Sequence, residues 1–371
     1  MYDFFPHYRR AILEQLELSE TCKYDFFGAS SSLHGGIRGV DVDRLRSFVP
    51  TPCRYVLRRF LIQRRIAFIG MANRYDTVIY LANPYFLSTW ISAALARIRG
   101  KRVLFWTHGW LQRERGLKRL IRRTFYALAD GLLLYGRRAK EHGAMEGISR
   151  DKQYVIFNCL ATEAALSVHS RRLHEVNSAS SESIRIGNTP YVICSARLTK
   201  QCRFDLLIEA LALLNRRGCR VKAMLVGDGP EREALSQLAA RRGVCVEFRG
   251  ECYDEDTLRV LTSNACATVS PGKVGLTAMQ SLAYGTPVIT HGDLDSQMPE
   301  VEVVLPGTNG DFFVKGSVES LATTINNWAA YKGDRSELAR TCIESLVPFY
   351  TAEWQAAEIE RAALGLLPRV P

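Results

Sequence analysis

The run Cys266–Thr290, CATVSPGKVGLTAMQSLAYGTPVIT, restricts the possible folds more than any other stretch of the chain. Cys266–Val269 is apolar and β-leaning, the reading of a buried parallel strand. Ser270-Pro271-Gly272-Lys273 breaks that strand, and from Gly275 the spacing predicts a helix with Leu276, Met279, Leu282 and Ala283 on one face. Gly285 stops the helix, Pro287 prevents its continuation, and Val288–Thr290 begins another strand. Strand, glycine loop, helix and strand in this order put a helix N-terminus at the carboxyl end of a parallel strand. Free backbone N–H groups and the helix dipole meet there, which suits a phosphate or diphosphate. Packing alone also produces glycine loops before helices, so the rest of the chain has to carry the reading.

The same alternation recurs on either side. Met1–Phe5 reads as the end of a strand, followed by a helix from Tyr8 to Leu18; a first strand is normally longer, which raises the expectation of lost residues ahead of Met1. Strands are predicted at Tyr24–Phe27, Thr77–Leu81, Arg102–Trp106, Gly131–Tyr135 and Tyr154–Phe157, and helices at Phe86–Ile98, Leu117–Ala129 and Arg137–Met145. Ser30–Gly39, with Gly35-Gly36, reads as a loop. Periodicity is lost between Leu166 and Pro190, where Asn177-Ser178-Ala179-Ser180-Ser181 has the composition of a linker. Strands resume at Tyr191–Ser195, Lys222–Val226 and Val244–Phe248, with helices at Phe204–Arg216, Pro230–Arg241 and Asp254–Thr262. Further helices are predicted at Ser317–Ala330 and Asp334–Val347, then an amphipathic Ala352–Leu367 with Trp354, Ile359 and Leu366 available for burial. Such alternation means parallel sheets covered on both faces. The expected architecture is α/β, two Rossmann-like doubly wound domains facing across a cleft. They are residues 1–170, a linker at 171–189, and residues 190–349, with a terminal helix at 350–371 packing back on the first.

A chain of 371 residues is long enough for two cores. Ten cysteines without a C-x-x-C pair, several of them in apolar strands, have the usage of reduced thiols in a cytosolic protein. The opening residues do not read as a signal peptide, and the most apolar window, Tyr85 to Ile98, is too short to span a bilayer. The net charge of +11 is unevenly placed, because residues 51–150 hold 20 Lys and Arg against 5 Asp and Glu. Within that stretch bases interleave with large apolar residues, as in Arg54-Tyr55-Val56-Leu57-Arg58-Arg59-Phe60-Leu61 and again over Leu117–Tyr126. A solvated basic face accounts for many such runs; this pattern also fits a helix lying on an anionic membrane surface, or a nucleic-acid site. The membrane is the preferred partner, which places the protein in the cytoplasm, peripheral on the inner face of the cytoplasmic membrane.

In the second half, ordered pieces accumulate. Ser195-Ala196-Arg197-Leu198, Phe204–Ala210 and Val226-Gly227-Asp228-Gly229-Pro230-Glu231-Arg232 come first. Phe248-Arg249-Gly250, Val269-Ser270-Pro271, Ser281–Val288 and Pro299-Glu300 ahead of Asn309-Gly310 complete the series. Over residues 190–315 this resembles the nucleotide-sugar-binding half of the family-four (group 1) retaining glycosyltransferases of GT-B fold. The first half is more weakly similar, through Pro6-His7-Tyr8-Arg9, Thr107-His108-Gly109 and Phe157-Asn158.

The resemblance implies roles for particular residues. Arg197 takes the place of an arginine on the donor diphosphate, where a cation stabilises the leaving group. The family's lysine five residues on is Cys202 here, so Lys200, Arg203 or Lys273 would have to supply that charge. The loop positions Gly272, Val274, Gly275 and Leu276, together with Gly227, are expected to line the donor site. Two family glutamates seven residues apart, one for the sugar and one for the ribose, fall on Gly272 and Gln280. Gln280 keeps the ability to hydrogen-bond a ribose, whereas Gly272 offers only backbone, leaving Glu300 or Lys273 to grip the sugar. His108 matches a histidine facing the sugar, with His7 less well supported, while Trp110 stacks on a sugar or simply packs.

The implied reaction is retaining transfer of a sugar from a nucleotide-sugar co-substrate, without a cofactor or metal, to a lipid-linked saccharide. O-antigen, capsule or exopolysaccharide synthesis would use such a step. A nucleotide-sugar epimerase of the same fold and a degenerate member that binds without turnover stay open beside it. Nucleic acid would explain the charge but not the ordered motifs, so no nucleic-acid partner is expected.

Overall fold

The computed structural model describes residues 1–30, 39–56, 60–63, 65–160, 189–347 and 349–371. The predicted linker, apart from its last residue, and Gly35-Gly36 lie outside the described residues. The chain divides into two units, Met1–Ala161 with Phe349–Pro371, and Thr162–Pro348.

In the first unit, β1 (Phe26–Gly28) pairs in parallel with β2 (Phe48–Pro50). β3 (Cys53–Val56) and β4 (Phe60–Gln63) form an antiparallel pair. β5 (Thr77–Leu81), β6 (Arg102–Thr107), β7 (Gly131–Leu134) and β8 (Gln153–Val155) form a parallel sheet in that order. Met1–Phe5 carries only an isolated bridge, yet its backbone bonds to both sides. The Met1 amino group donates to Ile79 O at 2.7 Å and Tyr2 N–H to Phe27 O at 2.9 Å. The opening residues thus join β1 to β5 and restore the order β2, β1, Met1–Phe5, β5, β6, β7, β8, with the chain start in the middle as in a Rossmann-like sheet.

Helices α1 (Arg10–Glu17), α2 (Ile66–Met71), α3 (Leu87–Ile98), α4 (Gly116–Tyr126) and α5 (Arg137–Met145) belong to this unit. β6 is buried along Val103–Thr107, as a strand covered on both faces must be. Leu104 and Trp106 pack with α1 residues Ile12, Leu13 and Leu16, and Val103 and Phe105 with Ala93, Ala96 and Phe125. The terminal helix, residues Ala352–Ala363, adds Ala356 and Ile359 to the first of these clusters. Leu366 is exposed rather than buried, because the helix stops at Ala363 and Gly365 turns the chain at φ 77°.

One expectation from the basic stretches is corrected. Arg54–Leu61 is not a surface helix but part of the β3–β4 pair, with Leu57-Arg58-Arg59 outside the described residues. Exposure alternates at every residue along Cys53–Val56, a period of two that belongs to a strand, and Tyr55, Val56 and Phe60 are β-formers. The second basic stretch does form a helix, α4, which buries Phe125 and Tyr126 and leaves Leu117, Leu120 and Ile121 exposed among its bases.

The second unit holds β9 (Tyr191–Ser195), β10 (Lys222–Val226), β11 (Val246–Gly250), β12 (Ala267–Ser270), β13 (Val288–His291) and β14 (Gly310–Phe313). They form one parallel sheet in the order β11-β10-β9-β12-β13-β14. Its helices are α6 (Phe204–Arg216), α7 (Arg232–Arg242), α8 (Glu255–Ser263), α9 (Leu276–Ala283), α10 (Val318–Ala329) and α11 (Arg335–Glu344), which makes Ala352–Ala363 α12. β14 was not expected; Gly310 is required there because a Cβ would lie 2.1 Å from Val288 O across the ladder. Strand order reverses between β9 and β12, and in an open α/β sheet that reversal, at the carboxyl ends, is where a ligand crevice forms.

Candidate functional site

The loop that follows β12 passes directly over the loop that follows β9. Gly272 N–H donates to Cys202 O at 3.1 Å, and a Cβ on Gly272 would lie 1.9 Å from Gln201 O. Only glycine fits. The family glutamate expected at this position is therefore sterically excluded, and the two departures at 272 and 202 are parts of one backbone contact. The Cys202 thiol turns back to donate to Arg197 O at 3.2 Å. α9 opens beside the same switch point, and Thr277 Oγ1 ties its first turn to Ser195 O at 3.2 Å. Ala278 N–H already donates to the N-cap carbonyl, Gly275 O, at 2.9 Å, so it is the N–H groups ahead of it and the helix dipole that suit an anion.

A residue the sequence did not single out fixes this loop. Gln297 is 2% exposed, and its Oε1 accepts Val274 N–H at 2.8 Å. Its Nε2 donates to Thr290 Oγ1 at 2.8 Å and His291 O at 3.1 Å, with a longer approach to Gly272 O at 3.4 Å. Thr290 Oγ1 in turn donates to Ser270 O at 2.9 Å. One buried amide thus joins the ends of β12 and β13 to Gly272–Val274. The only signal in the sequence was a glutamine two residues ahead of Pro299.

The charged candidates differ in availability. Arg197, Lys200 and Lys273 are exposed, and none has a carboxylate partner among the described residues. Arg203 is taken by Asp205, to which its Nη2 donates at 3.0 Å. Glu300 is 3% exposed on the turn Pro299–Val303 packed against α9, so its carboxylate is shut off from solvent. Gln280 is half-buried on α9 and hydrogen-bonds Tyr284. Leu276, placed on the buried face from its spacing, is only half-buried at the helix start. Gly227 N–H is used by Gly250 O at 2.6 Å, and a Cβ there would lie 2.1 Å from Ala196 O, so this glycine serves the close approach of two strand ends. Burial pushes the Cys194 thiol up to about 12, which makes it inert packing.

In the first unit, His108 follows β6 at its carboxyl end. Solvent reaches it, and its ring lies 4.8 Å from that of Tyr135. Crowding by protein lowers its imidazole to about 4, with Arg9 and Arg122 adding positive potential. Arg9 is 6% exposed; its Nη1 donates to Asn158 Oδ1 at 2.8 Å and its Nη2 to the Tyr135 hydroxyl, and it lies over the rings of Tyr135 and Trp106. His7, on the turn ahead of α1, is exposed beside Tyr8. Trp110 is buried edge-on against Tyr126 and packs; it is not placed to stack on a sugar. Among the described residues no group of three or more His, Cys, Asp or Glu stands where it would hold a metal.

Residues 177–344 match the model of a family described as glycosyl transferases group 1. The chain is 31% identical over 186 residues to the lipopolysaccharide core biosynthesis glycosyltransferase LpsE of Rhizobium meliloti, covering 50% of this chain and 51% of that protein. It is 33% identical over 175 residues, 46% of this chain and 42% of the relative, to a GDP-mannose-dependent alpha-(1-6)-phosphatidylinositol dimannoside mannosyltransferase of Mycobacterium tuberculosis. The chain therefore spans about half the length of these curated relatives or less. Among solved structures it is similar to the apo form of the lipopolysaccharide outer core galactosyltransferase WaaB, with a TM-score of 0.69 at 16% identity over 98% of this chain and 96% of that one. It is also similar to Anabaena Alr3699/HepE in complex with UDP, with a TM-score of 0.63 at 18% identity over 81% and 82%. Two Rossmann-like α/β units with these neighbours make the fold class GT-B.

Proposed function

From the match of residues 177–344 to the glycosyl transferases group 1 model, we propose that the chain moves a sugar from a nucleotide-diphosphate donor to a lipid-linked or polysaccharide acceptor, with retention at the anomeric carbon. The observation that carries this reading is the start of α9 at the strand-order switch, tied by Thr277 to the end of β9 two residues from Arg197. Peptide N–H groups and a guanidinium at one point meet the charge that grows on a departing diphosphate, and they act without reorganising. Arg197, with Lys200 or Lys273, and the loop Gly272–Leu276 would hold the diphosphate, and Gln280 the ribose. No resident metal is required, since these groups supply the positive potential. His108, in the first unit, carries a neutral imidazole at neutral pH, so it is available as a hydrogen-bond partner and not as a charge.

A lipid-linked acceptor is supported by the relatives' names, which speak of lipopolysaccharide core and phosphatidylinositol mannosides. A nucleotide donor is supported by the UDP and UDP-glucose complexes of HepE. No helix among the described residues is long and apolar enough to cross a membrane. α4 exposes Leu117, Leu120 and Ile121 beside Arg123, while Lys118 pairs with Glu114 and Arg119 with Glu146; these apolar residues among bases support a helix that rests on an anionic leaflet. In this reading the enzyme is cytoplasmic and peripheral, and it serves surface-glycan synthesis. The exclusion of a side chain at position 272 favours one second reading, a member that binds nucleotide-sugar without turnover.

The test is release of nucleoside diphosphate from UDP-, GDP- and dTDP-sugars by the purified chain with vesicles carrying a polyprenyl-diphosphate saccharide. Acceptor-dependent release that Arg197→Ala abolishes is the expected result. Nucleotide binding with no release on any acceptor would select the second reading.

A further inference from the structure

We infer that Gln297 is the positioning residue of the donor site: its buried side-chain amide sets the Gly272–Val274 loop from which α9 starts, and nucleotide affinity depends on it. The inference rests on the donor site proposed at the β9–β12 switch.

The loop has no polar side chain of its own to fix it, although Val274 is buried. Gly272 has none, Lys273 is exposed, and Val274 is apolar. Gly272 N–H is taken by Cys202 O at 3.1 Å, and Val274 N–H by Gln297 Oε1 at 2.8 Å. On its other edge the amide donates to Thr290 Oγ1 and His291 O, both at the end of β13. A primary amide donates and accepts from a single planar head, and this position needs both. A carboxylate would lose the donors, and an apolar side chain would leave the buried Val274 N–H unpaired. Because the first turn of α9 follows within two residues, a shift of this loop moves the N–H groups that would face a phosphate.

The variant Gln297→Glu separates positioning from plain packing. Its shape is unchanged and its carboxylate still accepts from Val274 N–H, but it meets His291 O and Gly272 O without a hydrogen to give. Protonation restores the donor, so burial makes this variant's function depend on pH. The other charged or titratable groups around the loop are His291, held below its usual pKa by burial, the Lys315–Asp293 pair, Lys273, and Glu300 on the adjoining turn. All are present in wild type and variant, and the wild-type profile reports their own effect on binding at each pH.

UDP and GDP binding by the full chain is measured calorimetrically from acidic to neutral pH, together with hydrogen exchange at Val274. The expected results are an affinity loss of about tenfold for Gln297→Ala and faster exchange at Val274. Gln297→Glu is expected to approach wild type as the pH falls and to fall behind it as the pH rises. Wild-type affinity at every pH in a folded Gln297→Glu, with unchanged exchange at Val274, would overturn the inference. If the wild type binds neither nucleotide, the proposed donor site fails, and the exchange comparison alone decides whether Gln297 sets the loop.

Discussion

Replacing Gly272 by alanine adds one methyl group at the most crowded backbone contact of the candidate site. That methyl would stand 1.9 Å from Gln201 O, 2.9 Å from its carbonyl carbon and 3.0 Å from the Cys202 carbonyl carbon. No rotamer relieves a backbone clash, so the Gln201–Cys202 segment has to retreat by about 1 Å, which stretches the 3.1 Å bond from Gly272 N–H to Cys202 O out of range. Overpacking of this kind costs about 1–3 kcal/mol, and the lost hydrogen bond adds about 1 kcal/mol. A total of about 2–4 kcal/mol in a unit of this size lowers its Tm by roughly 5–15 °C. Differential scanning calorimetry of the full chain reads the shift. Gly292→Ala is the control, since a Cβ there meets nothing closer than Phe312 Cβ at 3.4 Å. Gly272→Glu, which would restore the family's acidic side chain, meets the same clash and is expected to destabilise the unit and weaken nucleotide binding, not improve it. A Gly272→Ala protein that melts with the wild type would refute the steric argument and leave the missing glutamate without a structural cause.

Two further outcomes follow from the first unit. His108 should titrate by NMR with an apparent pKa of about 4, below its model-peptide value of 6.5. The unfolded chain then binds the extra proton between those values, so His108 withdraws stability as pH falls from about 6.5 toward 4 and none is lost above that window. Arg9→Gln should raise the His108 value by removing a nearby positive charge; a value near 6.5 in the wild type would contradict this environment. For α4, Leu117→Glu and Leu120→Glu should each cut partitioning onto phosphatidylglycerol vesicles about tenfold or more, given roughly 1.5–3 kcal/mol for burying a leucine side chain. Unchanged partitioning would remove α4 from the proposed docking face.

The strands were legible because a parallel strand covered on both faces is a continuous apolar run, and Val103–Trp106, Leu132–Leu134 and Val192–Cys194 are such runs. The β3–β4 pair was missed for the opposite reason. Its alternating Cys53-Arg54-Tyr55-Val56 was weighed for charge, and charges beside apolar residues suit a surface helix as well as an exposed strand. β14 has a glycine and an aspartate in four residues and reads as a strand only once Val288 lies beside it. At the site, the glycine loop and Arg197 could be located from local sequence alone. That Gly227 and Gly272 are glycines for close backbone approach, and that Gln297 reaches back to Val274, depends on pairings between segments 23 or more residues apart. Glu300 was a candidate for gripping the sugar and is instead buried on a turn packed against α9.

The central claim is that a nucleoside diphosphate binds where α9 opens beside Arg197. Isothermal titration of the full chain with UDP and GDP, in wild type and Arg197→Ala, tests it most directly. A charge-assisted hydrogen bond of about 1.5–3 kcal/mol predicts that one of the two binds the wild type and loses roughly 10- to 100-fold in affinity in the variant, with an unchanged melting profile. Equal affinity in both proteins, or binding of neither nucleotide to the wild type, would contradict it.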